Sequence, residues 1–194
     1  CVSGSWSSPM LPSLALPDQS ALDPVTAARV EGLRAALLER QGVRIPGVRV
    51  RGNDGSLPPR AFVVIVQEVP LVLDTVPDGA EPRDWIVARL ERTLLGMLEE
   101  FVGCDTADEL ASRAGAPWPE RVRAAAGGLP AFVHVLRGLA DERVPITDAE
   151  LLCARFVEGR AAGASASQIV AAVRLAPGVR ERLHGAAPGT RRIA

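Results

Sequence analysis

The stretch Val135-Leu136-Arg137-Gly138-Leu139-Ala140-Asp141-Glu142-Arg143-Val144-Pro145-Ile146-Thr147-Asp148 decides how the second half of this chain folds. Apolar residues at Val133, Leu136 and Leu139 recur at the spacing of a helix with one buried stripe. Pro145 bars continuation, because it has no N–H to donate and its ring disfavours helical backbone at Val144. The spacing predicts a helix ending near Glu142, a tight Val-Pro-Ile connection, and a new helix capped by Thr147 with Glu150 three residues on. Val144 and Ile146 flank the proline and are expected to plug the corner, so that two helices meet at a fixed angle. A helix-turn-helix corner is also a DNA-binding device, but here the second helix is not basic and 22 Lys+Arg against 23 Asp+Glu leave a net charge of −1.

Working outward, residues 1–23 are Ser- and Pro-rich and read as a lead-in or linker. Asp23-Pro24 predicts a helix start, and Val30, Leu33 and Leu37 form its stripe to about Gln41. Gly42 is suited to the left-handed residue after it. Val48-Arg-Val50-Arg alternates like a half-buried strand, Gly52-Asn-Asp-Gly55 is turn chemistry, and Ala61 to Val66 is β-branched and more buried. Val69 to Leu73 is expected to pair back on it, with Pro70 marking an edge. From Arg83 the pattern is helical: Ile86, Leu90, Leu94, Met97 and Phe101 predict one helix stopped by Gly103. Thr106/Glu109 and Ser165/Gln168 read as further capping boxes, with helices near Pro119 to Ala126, from Pro130 to about Arg143, and from Ala166 to Leu183 with a break at Pro177-Gly178. The expectation is an α+β fold: a small α/β subdomain over 24–82, a helical subdomain over 83–185 and a flexible tail over 186–194.

At 47% hydrophobic and 23% charged the composition is that of a globular chain. The most apolar stretch, Ala61 to Leu73, is broken by Gln67, Glu68 and Pro70, too short for a membrane span, so a soluble protein is expected. All basic residues are Arg, which favours forked pairing with carboxylates, and Tyr is absent. Cys104 and Cys153 sit among apolar residues and are expected to be buried thiols. Cys1 fits either a fragment boundary or a lipidated start.

The inventory for catalysis is thin. His134 lies mid-helix and reads as a helix-surface or half-buried residue, and His184 lies in the tail. No phosphate loop, dinucleotide fingerprint, nucleophile elbow or metal-binding spacing occurs. The expectation is no enzyme, no cofactor and no metal.

One segment carries a resemblance. Leu136-x-x-Leu139-x-x-Glu142-x-Val144-Pro145-Ile146-x-Asp148 is similar to the signature of the type III export-gate (FHIPEP) family. Val48 to Asn53 followed by Leu57-Pro-Pro59 and the Phe62 to Val66 strand, then Glu100-Phe-Val-Gly103 and Ala171-Ala-Val-Arg174, resemble further family pieces in the family's order. Thr147 stands where the family usually has Arg, and the stretch between Val66 and Trp85 is too short for the subdomain that members insert there. The resemblance implies a non-enzymatic protein-interaction module of protein secretion, with secretion components, chaperones or substrates as partners. It further implies a cytoplasmic place, held at the inner membrane only through those partners. It assigns the seven motif residues a structural role. The alternative is a detached domain of this type used as an adaptor outside secretion.

Overall fold

A computed structural model of the chain describes residues 24–51, 58–66 and 68–179. Helix α1 (Pro24–Gln41) buries Thr26, Val30, Leu33 and Leu37, the predicted stripe extended by one turn. Its proposed cap, Asp23, and the turn at residues 52–55 lie outside the described residues. Gly42 takes φ +75° and its N–H donates to Leu38 O at 2.9 Å, closing α1 with a left-handed exit.

Three antiparallel strands follow in the order β1 (Val48–Arg51), β2 (Ala61–Val66), β3 (Val69–Thr75). Phe62, Val64 and Val66 turn one face of β2 into the core. The register passes from Val64↔Val72 to Ile65↔Pro70, so the bulge falls where the proline removes a donor from the edge strand. Val69 and Leu73 remain exposed on β3.

Helix α2 (Pro82–Leu95) ties the sheet to the rest, through Arg89 Nε to Asp74 Oδ2 at 2.8 Å and through ion pairs of Arg29 with Asp84 and Arg40 with Glu91 that join it to α1. The single helix expected up to Gly103 does not form. The chain breaks at Gly96, which has the weakest hold on helical backbone, and tightens into a 3₁₀ turn at Leu98–Phe101 with Leu98 fully buried. Gly103 is instead the extended residue that precedes α3 (Cys104–Ala114).

Helices α4 (Trp118–Ala124), α5 (Gly128–Asp141), α6 (Ala149–Ala161) and α7 (Ala166–Arg174) complete the described chain. After α7 the helix breaks at Leu175–Ala176, just before the expected Pro177-Gly178, and residues 177–179 are helical again with Pro177 at the first position; the rest of the predicted helix lies outside the described residues. The molecule is α+β, with helix dominating after residue 82. Buried residues from Val30 to Val179 form one continuous core.

Two capping assignments change. Thr106 sits at the third position of α3, where its Oγ accepts the Gly103 N–H at 3.4 Å, rather than at the cap. At α6 the cap is Asp148, whose carboxylate accepts from Leu151 N–H at 3.2 Å, and Thr147 lies one residue too early. A carboxylate there adds a charge-assisted bond and a favourable interaction with the helix dipole. Ser165 and Gln168 do form a reciprocal box at α7.

The arginines bind backbone as much as carboxylate. Arg34 Nε and Nη2 both reach Ile45 O (3.2 and 2.9 Å), and Arg137 Nε reaches Val102 O at 2.8 Å. Arg160 joins Ala126 O and Ala164 O at 2.8 and 3.0 Å. Each clamps a loop carbonyl left without a helical partner; donors spread over a rigid fork let Arg34 place two on one carbonyl and Arg160 bridge two carbonyls.

Candidate functional site

The motif around Pro145 builds a corner from the inside out. Leu136 and Leu139 are fully buried on α5. Helix α5 ends four residues before the proline. Arg143, at φ +57°, donates its N–H to Ala140 O at 2.9 Å, and Val144 N–H donates to Leu139 O at 2.8 Å. That pair is a Schellman ending, and buried Val144 next to Leu139 supplies the apolar contact that goes with it. Glu142 caps α5, and its Oε2 meets Arg174 Nη1 on α7 at 2.9 Å; both side chains are well exposed, so screening leaves this pair at most about 1 kcal/mol.

Ile146 then turns back to the first third of the chain. It is fully buried, and its N–H donates to Gln41 O at 2.9 Å, the last residue of α1. A Cβ on Gly42 would stand 2.7 Å from Ile146 O, so only glycine admits this approach. Pro145 is half-buried beside Leu151, Leu152 and Val179, and Asp148 starts α6. Sequence reasoning had the proline and its apolar flanks but not Gln41 and Gly42, which lie about a hundred residues earlier in the chain.

Beside this corner a cleft of about 420 Å³ opens between the α1–β1 connector and α3. Leu38, Pro46, Phe101 and Leu110 contribute apolar surface, while Arg44, Arg113 and Arg137 face Glu100, Asp105 and Glu109. Arg44 pairs with Glu109 across it at 3.1 Å. Three arginines and three carboxylates balance, so the cleft carries no net charge to attract a charged ligand.

Among the described residues, no three His, Cys, Asp or Glu side chains converge to hold a metal ion, and no helix is long and apolar enough to cross a membrane. His134 is exposed on α5. The thiols part company: Cys153 is buried on α6, where desolvation pushes its pKa up to about 11, but Cys104 is exposed at the start of α3, against the expectation of burial. The apolar residues next to Cys104 in sequence turn inward at Val102 and Ala107 while the first turn of α3 faces out.

No family model and no curated relative matches this sequence. Solved structures do. The chain is similar to the CdsV protein of Chlamydia pneumoniae (17% identity, TM-score 0.64, covering 75% of this chain and 56% of that one), which has also been solved in complex with CdsO. It is similar to nonameric SctV-C of EPEC (16%, TM-score 0.68, 84% and 64%) and to MxiA of Shigella flexneri (14%, TM-score 0.61, 78% and 60%). The chain thus spans less than two thirds of the length of each, and at these identities the likeness is one of fold. The described residues have the fold of the cytoplasmic domains of type III secretion export gates.

Proposed function

We propose that this chain is a non-enzymatic protein-interaction module of a type III secretion apparatus, acting on the cytoplasmic side of the inner membrane and held there by partners. The observation that carries the reading is the fold: export-gate cytoplasmic domains from different bacteria superpose on most of the chain, despite identities below one in five. Because SctV-C is nonameric and CdsV is found with CdsO, the partners proposed are further copies of the chain and other secretion components. Copies would meet through a heterologous contact that closes, and the chain alone, lacking over a third of its neighbours' length, should be monomeric at micromolar concentration.

Identities of only 14–17% to export-gate domains also suit a second reading, an adaptor of this fold working outside secretion. Deleting the gene in its own host separates the two. Loss of type III substrates from the culture medium, restored by the wild-type gene but not by Ile146→Asp, supports the first. Unchanged secretion, or a host without such an apparatus, overturns it in favour of the adaptor.

A further inference from the structure

Three helix ends in this fold place glycine at positive φ: Gly42 after α1, Gly115 after α3, Gly163 after α6. At the end of α5 the same position is Arg143, at φ +57°. A side chain there is strained and glycine is the usual occupant, so an arginine calls for a compensating use of its side chain. Arg60, also at positive φ, has one. At φ +63°, its guanidinium donates to Val76 O at 3.0 Å and to Pro77 O at 2.6 Å. Arg143 is exposed, and its guanidinium makes no hydrogen bond or ion pair with any described residue. Only its backbone serves the corner. The adjacent Glu142 is already engaged by Arg174.

We infer that Arg143 is a docking residue whose guanidinium takes a carboxylate from a second copy of this chain. The inference rests on the assembly proposed above and names a contact within it. The Schellman ending and the Ile146–Gln41 hydrogen bond hold the Arg143 backbone fixed, so less freedom is lost when the side chain engages. A planar fork suits bidentate capture of a carboxylate. The chain offers such acceptors: Glu100, Asp105, Glu120 and Glu150 are exposed and make no ion pair among the described residues. In a heterologous contact, the surface bearing Arg143 meets a different surface of the next copy, so like charges need not face each other.

The test is sedimentation velocity of the full 194-residue chain from micromolar to near-millimolar concentration, at low and at physiological salt, alongside thermal melts. Wild type should self-associate at the upper end in a salt-sensitive way. Arg143→Gly should melt about 2–4 °C higher, because the strain is relieved, yet associate about fivefold more weakly. Arg143→Gln keeps the strain but removes the charge; it should melt like wild type and lose the same association. Equal association of all three overturns the inference and leaves the assembly reading standing. A lower melting point for Arg143→Gly also overturns it, by showing an intrachain role. A wild type that stays monomeric throughout overturns the assembly reading, and this contact with it.

Discussion

Helices α5 and α6 leave through the same pair of backbone hydrogen bonds. At α5 they run from Val144 to Leu139 O (2.8 Å) and from Arg143 to Ala140 O (2.9 Å); at α6, from Ala164 to Gly159 O (2.8 Å) and from Gly163 to Arg160 O (3.1 Å). Both corners then enter a capped helix, by Asp148 in one and Ser165 in the other. What differs is the environment behind them. Ile146 is buried against the end of α1, with its N–H on Gln41 O, while a Cβ on Gly163 would meet open space. The local hydrogen-bond pattern makes a turn; the long-range contact makes one turn a joint between the first third of the chain and the rest.

The largest test of that contrast is Ile146→Asp. A carboxylate placed at a fully buried position with no partner should cost about 4 kcal/mol or more, read as a fall in the urea midpoint. An unchanged midpoint would show Ile146 at the surface and remove the joint. Next come two glycines with nearly the same backbone, Gly42 at φ +75° and Gly163 at φ +73°. Gly163→Ala should cost only the left-handed strain, about 1 kcal/mol. Gly42→Ala adds a Cβ 2.7 Å from Ile146 O, backbone that cannot swing away, and should cost about 2–5 kcal/mol. The difference between the two measures the joint. Equal losses would mean that the α1 end relaxes freely and carries nothing.

Much of this was legible in the sequence because it is local. The stripes Val30–Leu33–Leu37 and Val133–Leu136–Leu139 are buried as their spacing requires, and the proline with apolar flanks marks a plugged corner. Three kinds of feature were not legible. Partners such as Gln41 and Gly42 for Ile146 are set by tertiary packing, which periodicity does not encode. The break at Gly96 interrupts a pattern whose apolar spacing runs on unbroken, so glycine's weak helix propensity decided against the periodicity. Choices between neighbouring caps were missed as well: Thr147 with Glu150 matched the pattern, yet Asp148 beside it makes the stronger, charged cap. The arginine clamps on Ile45, Val102 and Ala126 carbonyls belong with the first kind, since a loop carbonyl announces nothing in sequence.

The capping difference is smaller and sharpens the comparison. Asp148→Ala and Ser165→Ala each remove one side-chain acceptor from a helix start and should each cost about 1 kcal/mol. The loss at Asp148 should also shrink with added salt, which screens a carboxylate's interaction with the helix dipole, whereas the Ser165 loss should not move with salt. Urea titrations at two salt concentrations read both, and a salt-independent loss at Asp148 would mean its charge plays no part.

The smallest expected effect concerns Pro145 itself. Its ring restricts the unfolded chain, and losing that restriction should cost about 0.4–1 kcal/mol in Pro145→Ala. Nothing further should follow, because the helix has already ended at Asp141, four residues earlier. The N–H groups on either side are also committed, Val144 to Leu139 O and Ile146 to Gln41 O. For α5 to extend through an alanine at 145, Val144 and Ile146 would have to leave the core and both hydrogen bonds would have to break. That price exceeds what added helical turns return, so far-UV circular dichroism should be unchanged. A loss above about 2 kcal/mol, or a gain in helical signal, would reverse the order of causes. The proline would then hold the corner, and the buried flanks and the α1 contact would be its consequences.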